Sequence, residues 1–327
     1  MLDIVGCRPA FIHTQAGFMD NFLAQLPQQI VNGLTLGAVY ALIALGYSMV
    51  YGVLRLLNFA HGDVYMVGAF IGYGVMVSLI AVDEAVAFPV LIILMMFAAA
   101  MIGCGLLGVA IEQFAYRPLR NAPRLASLIS ALGVSFFLQN AVQLTLTAQF
   151  RNYETEKLIP PALGFEILSA RVSATRALVI IAAIVMMIAL TYLVQRTRIG
   201  KAMRAVAIDR EAAAMMGVDV DRIIVLTFFI GSALAGAAGV LTGMVFTRIW
   251  HFMGFTAGLK GFTAAVLGGI GNIPGAMLGG FILGMVETFA VGFISPTFRD
   301  SIALIVLIVV LLIRPQGLLG RRIPQKV

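Results

Sequence analysis

Apolar positions fill long stretches of this chain, and polar residues gather in short intervals between them. The apolar runs fall at about 28–53, 60–82, 87–111, 125–148, 174–194, 223–247, 262–294 and 298–313. Each approaches or exceeds the roughly 20 residues a helix needs to cross a bilayer. The pattern predicts an all-α polytopic integral membrane protein with about eight hydrophobic segments. Residues 27–314 read as one transmembrane domain. Residues 1–26 form an N-terminal extension expected to be flexible, and 315–327 a cytoplasmic tail.

One run conflicts with its own composition. GFTAAVLGGIGNIPGAMLGG, residues 261–280, carries seven glycines and a proline where a helix is wanted. Unpaired backbone groups in lipid cost several kcal/mol, so broken helices persist only where protein or a water-filled cavity covers them. Transporters use interrupted helices near the membrane midplane to present backbone groups to substrate. LGGIGNIPG, 267–275, has the makings of such a break, because glycine accepts positive φ and Pro274 removes a donor. Gly268, Gly269, Gly271, Asn272, Pro274 and Gly275 are therefore candidate path or gate residues. Gly271, Gly275 and Gly279 also lie at the four-residue spacing of a helix-packing face, and the two readings can coexist. Gly231, Ala235, Gly239 and Gly243 form a second small-residue ridge, read as a helix contact without chemistry.

The basic residues orient the chain. Arg117, Arg120 and Arg124 lie in one polar interval. Arg196, Arg198, Lys201, Arg204, Arg210 and Arg222 lie in or at the edge of another, and Arg314, Arg321, Arg322 and Lys326 in the tail. The positive-inside rule makes all three cytoplasmic. The interval 149–173 balances Arg151, Lys157 and Arg171 against Glu154, Glu156 and Glu166, which suits the outer side. With the N-terminus outside, eight full crossings would leave the tail outside. The count closes if 262–294 enters the membrane and returns.

Composition agrees: 61% of residues are hydrophobic and 11% charged, with a mean hydropathy of +1.01. A soluble domain has about 25% charged residues. The net charge of +7 is accounted for by orientation, so nucleic-acid binding is not expected. Cys7 and Cys104 belong to no CxxC or Cys/His cluster, and His13, His61 and His251 are scattered, so neither a zinc site nor a disulfide framework is expected. The first residues lack the pattern of a signal peptide, and Met19 offers an alternative start. The motifs GxSxG, HExxH and GxxxxGK[ST] are absent. GCGLLG, 103–108, matches a dinucleotide fingerprint only by letter, since it lies inside an apolar run without a βαβ context. An intramembrane enzyme would need paired catalytic groups, and no convincing pair appears. A passive channel remains a competing class.

Two polar stretches carry the candidate chemistry. Within RTRIGKAMRAVAIDREAAAMMGVDVDRI, 196–223, the run DREAAAMM favours a short surface helix, and Gly217 is placed to end it. NFAHGDVYM, 58–66, sets Asn58, His61 and Asp63 at the head of an apolar run. Ionisable groups in a membrane usually face a cavity or a partner. Asp63 suits a helix start, where it complements the dipole; Asn58 and His61 read equally as gate lining or loop structure. At the cytoplasmic end this stretch would sit near an inner gate, framed by the break at 267–275.

The segment EAAAMMGVDVDRI resembles the EAA loop of ABC-importer permeases, matching at Glu211, Ala212, Ala213, Gly217 and Ile223. NGLTLGAVYALIALGYSMVYG at 32–52, LNFAHGDVYMVGAF at 57–70, YRPLRNAPRLASLISALG at 116–133 and GLKGFTAAVLGGIGNIPGAMLGGFILGMVE at 258–287 sharpen the match. From about residue 20 onward the chain closely resembles the permeases of branched-chain amino acid ABC importers, the LivH type. The resemblance implies an ABC-importer permease fold in a bacterial inner membrane. The loop 195–222 would be the ATPase-coupling element, with Arg204, Glu211, Ala212, Ala213 and Gly217 its key residues. Implied partners are a second permease subunit of the LivM type, two cytoplasmic ABC ATPases, a periplasmic amino-acid-binding protein and membrane lipid. No cofactor or metal is expected on this chain; ATP and Mg would enter through the ATPases. The substrates implied are leucine, isoleucine and valine, and the alternative is a related urea or short-amide importer.

Overall fold

A computed structural model describes residues 11–81, 88–120, 122–167 and 170–320. The first helix, α1, spans Phe11–Leu54, followed by α2 (His61–Ile80), α3 (Pro89–Ile111) and α4 (Arg124–Leu146). A π-helical turn and a 3-10 turn, Glu112–Tyr116 and Arg117–Leu119, join α3 to α4. Then come β1 (Arg151–Asn152), α5 (Thr155–Leu158), β2 (Gly164–Ile167), β3 (Ala170–Ser173), α6 (Ala174–Arg196), α7 (Arg198–Ile208), α8 (Arg210–Met215) and α9 (Val220–Phe246). The chain ends with β4 (Arg248–Ile249), α10 (Met253–Gly268), α11 (Ile273–Phe293) and α12 (Arg299–Ile313). Among the described residues, eight helical segments are long and apolar enough to cross a membrane. The extension expected over 1–26 is helical from Phe11; residues 1–10, and Arg321, Arg322 and Lys326 of the tail, lie outside the described residues.

Tertiary contacts gather the basic intervals on one face. Arg117 pairs with Asp221 at 3.1 Å, and Arg120 bridges Asp221 and the buried Glu112. Arg210 donates to the Leu54 carbonyl at 2.9 Å, at the end of α1. On the opposite face β1 pairs antiparallel with β4. Tyr153, next to β1, donates 2.5 Å to the Ala69 carbonyl and packs on Gly243, and burial raises its phenol pKa.

The crossing count closes through a hairpin, and it begins earlier than the sequence suggests. The inward limb, α10, starts at Met253 rather than near 262. Its 16 residues span about 24 Å, short of the roughly 30 Å hydrocarbon core. The chain turns at 269–272, where Gly269 and Gly271 have φ of +107° and +85°, a conformation that glycine adopts without steric penalty. The outward limb, α11, is a full-length helix. Asn272 caps it, accepting from the Gly275 amide, with Pro274 in its first turn.

Small residues form the closest helix contacts of the core. α1 lies against α9, α10 and α11, and α9 lies against α2 and α3. Gly231 meets Gly46, and Gly239 meets the backbone of Tyr65 and Ala69, so the predicted ridge on α9 is a contact surface. The GCGLLG segment packs Gly105 on the Phe229 ring and Gly108 on Ser232.

The tail explains how a break survives in the membrane. A helix end leaves carbonyls unpaired. Here the Leu318 amide donates to the Leu267 carbonyl at 2.8 Å and the Leu319 amide to Gly268 at 3.0 Å. Asn272 Nδ2 donates back to the Leu319 carbonyl at 2.6 Å. Asn272→Ala removes this bond and the α11 cap, a loss of about 1–2 kcal/mol. Faster hydrogen exchange is expected at the Leu318 and Leu319 amides, with exchange in α9 unchanged. Equal protection of the tail in variant and wild type would refute the pairing role.

Candidate functional site

The polar interval 195–222 holds two short helices rather than one. Thr197 caps α7, accepting from the Gly200 amide at 3.1 Å. Asp209 interrupts the helical path and caps α8, accepting from the amides of Glu211 and Ala212 at 2.9 and 3.1 Å. Gly217 follows at φ +82°. Its amide bonds Ala214 O at 2.9 Å and that of Val218 bonds Ala213 O at 3.0 Å, the paired bonds of a Schellman end. Ala213 is buried, while Glu211 and Ala212 face outward. Arg204 donates to the Val194 carbonyl at the end of α6. Three large apolar side chains on this loop stand in the open: Ile208, Met215 and Met216 are 82%, 81% and 83% exposed. The Arg210 guanidinium reaches the last carbonyls of α1, and its pKa is lowered by partial burial and by the charges of Arg120 and Arg55. The loop is thereby tied to the end of α1.

The polar head of α2 lies deeper than a cytoplasmic interface. Arg55 takes a left-handed conformation, φ +56°, and the chain folds back. The His61 ring then packs on Gly46 and stands 4.8 Å from the Tyr47 ring, edge to face. Gly46 precedes Leu54 by eight residues, so α2 starts about 12 Å back along α1. Asn58, His61 and Asp63 are all buried. Asp63 accepts from Ser135 and from Gln139 Nε2, the latter at 3.1 Å. It therefore ties α2 to α4 as well as sitting in the first turn of its helix. Asn58 Oδ1 accepts from the Tyr116 hydroxyl at 3.2 Å, but Asn58 Nδ2 has no partner. Neither ring nitrogen of His61 makes a well-formed hydrogen bond, although the Ile43 carbonyl lies beside it.

The structure does not bring this stretch face to face with the break. Gly62 and Asp63 meet the start of α10: a β-carbon on Gly62 would lie 2.6 Å from the Gly258 Cα. The break lies at the other end of α10, with Gly271 against Gly52 of α1 and the tail behind it. Gly268 packs on Gly275 inside the hairpin. Pro274 lines a groove shared with Thr191 and Tyr192 of α6.

A further polar cluster sits toward the opposite face. Glu287 of α11 is fully buried. It accepts from the Tyr40 hydroxyl at 3.0 and 3.1 Å, from Lys260 Nζ at 3.0 Å and from Arg299 Nε at 2.5 Å. Lys260 also pairs with Asp300 at 2.7 Å. Two cavities of about 310 Å³ adjoin the cluster and share Leu36, Phe246 and Arg299 in their walls. The signal was present in the sequence: Lys260 and Glu287 are single charges within otherwise apolar segments, and such residues mark functional positions. Their sequence separation concealed that they meet. Among the described residues no group of three or more His, Cys, Asp or Glu is placed to hold a metal.

A family model described as the branched-chain amino acid transport system / permease component matches residues 29–311. The chain is 46% identical over 303 residues to the high-affinity branched-chain amino acid transport system permease protein BraD of Pseudomonas aeruginosa, across 92% of this chain and 97% of that one. It is 44% identical over 304 residues to the corresponding LivH protein of Escherichia coli K12, with the same coverage. A probable branched-chain amino acid transport permease protein LivH of Methanocaldococcus jannaschii is 27% identical over 290 residues, covering 85% of this chain and 88% of that one.

Proposed function

Since the chain belongs to the family of permease components of branched-chain amino acid transport systems, we propose how its parts divide the work of an ATP-driven importer. The chain is a multi-pass inner-membrane permease subunit of an ABC importer for branched-chain amino acids and not an enzyme; the urea or short-amide alternative is not favoured. ATPase and substrate-binding partners are implied by that membership. A second permease of the LivM type completes the pathway, two ATPases bind and hydrolyse ATP with Mg, and a periplasmic protein delivers leucine, isoleucine or valine.

The observation that carries the coupling role is the exposed apolar trio Ile208, Met215 and Met216 beside Glu211, on a loop tied to α1 through Arg210. Exposed apolar groups on a polar face suit an interaction surface. A push on α8 by an ATPase is passed by the Arg210 guanidinium to the end of α1, next to Gly52 and the break. Asn58, His61 and Asp63 then form the inner end of the path. Buried polar atoms without partners are rare. Those of Asn58 and His61 support a region that pairs differently in another state of an alternating-access cycle.

Uptake of labelled leucine by membranes carrying the complete complex tests the reading, with unlabelled isoleucine, valine and urea as competitors. ATP-dependent uptake blocked by the aliphatic amino acids is expected, and Glu211→Lys is expected to abolish it while the complex still assembles. Uptake blocked by urea alone, or persisting without ATP, overturns the importer reading. Full uptake in Glu211→Lys removes the coupling role from α8.

A further inference from the structure

The cavity beside Lys260 and Arg299 has the chemistry of an aliphatic α-amino acid, and we propose that it is a transit site in the outer half of the permease for the zwitterionic head and branched side chain of such a molecule. The inference rests on the transport reading and names where, within this chain, the substrate is held.

The polar end of the cavity is formed by Lys260, Arg299 and Asp300, with Glu287 fully buried behind them. Arg299 and Asp300 are 41% and 71% exposed, so they present groups to an incoming ligand. A guanidinium and an ammonium side by side suit a carboxylate, which Arg binds through two parallel bonds. The Asp300 carboxylate suits an ammonium. With Arg248, which also lines the cavity, the five charges sum to one positive. A zwitterion pairs its carboxylate with the excess of cations and its ammonium with the exposed Asp300.

The rest of the cavity is largely apolar. Leu36, Val39, Phe246, Trp250 and Met253 line it, and a branched aliphatic side chain displaces water there. The cavity, about 310 Å³, is at the small end of the range for small-ligand pockets, about 300–1,000 Å³. The β1–β4 pairing places Arg248 and Trp250 on the face that the charge pattern assigns to the outside, where a delivered substrate would first meet the permease.

Trp250 is the chain's single tryptophan, so the site carries its own reporter. The full-length chain in lipid nanodiscs would be titrated with L-leucine, with L-leucinamide, which lacks the carboxylate, and with 4-methylpentanoate, which lacks the ammonium. L-Leucine is expected to change Trp250 emission saturably, with both analogues weaker by about tenfold or more, the loss expected for one charge-assisted contact. Arg299→Gln should weaken leucine to a similar degree, and Arg299→Lys should restore part of it. Equal responses to leucine and leucinamide overturn the proposal without relying on any variant. So does a flat titration in a chain whose complete complex still shows ATP-dependent leucine uptake; that result leaves the transport reading standing. A wild-type complex that fails to take up leucine removes the transport reading itself, and this site with it.

Discussion

Glu287→Ala is expected to lower the stability of the folded permease by about 3 kcal/mol. Glu287 is fully buried and accepts from Tyr40, Lys260 and Arg299. Removing one partner of a buried ion pair costs about 3–5 kcal/mol, because the remaining charge loses its compensation. The lower end applies here for two reasons. Lys260 keeps Asp300 as a partner at 2.7 Å, and Arg299 is exposed enough to turn toward water. On the scale of soluble domains this corresponds to roughly 6–12 °C in the unfolding midpoint. Glu287→Gln preserves the volume and an acceptor for the Tyr40 hydroxyl, so its loss should be smaller. Thermal unfolding of the purified complex in one detergent would compare the three. An alanine variant as stable as wild type would show that the buried charge contributes nothing to the fold.

Gly284→Leu should prevent the permease from assembling. Along the seam between α1 and α11, Gly284 rests on the backbone of Gly37, and Gly280 on the backbone of Ala41. A β-carbon on Gly37 would lie 2.8 Å from the Phe281 Cα. These neighbours are main-chain atoms, so no side chain can rotate away, and the helices themselves must separate. Overpacking a core typically costs about 1–3 kcal/mol and sometimes more. A leucine at this seam falls at or beyond the upper end, because the separation propagates along the helix pair. Close packing of small residues is the main source of helix association in lipid, where no hydrophobic drive acts between helices. Gly284→Ala adds one methyl group and should be intermediate. Membrane levels and size-exclusion elution of the tagged complex would report both, and a leucine variant that assembles and transports normally would refute the tight seam.

Much of the fold was legible in the chain. A bilayer reads each segment's transfer energy locally, so eight runs and a broken hairpin follow from residues close together in sequence. The end of α8 at Gly217 was legible for the same reason. Pairings between residues far apart in the chain were not. The depth of His61 depends on Arg55 turning the chain back to Gly46, a step that hydropathy does not record. Asp63 reads as a helix start from its place in the chain, while its bonds to Ser135 and Gln139 come from a helix more than seventy residues away.

Local sequence thus accounts for the apolar segments, the clustering of basic residues and the site of the break. Each of these is a sum of local preferences: apolar length, charge placement, and the backbone freedom of glycine and proline. Only the tertiary structure decided that the tail pairs with the carbonyls of Leu267 and Gly268, and that Tyr40, Lys260, Glu287 and Arg299 form one cluster. Tyr40 and Glu287 are 247 residues apart, and nothing in either neighbourhood specifies the other. They meet because small residues let α1 and α11 approach to backbone contact, and that approach sets which polar groups must pair inside the membrane.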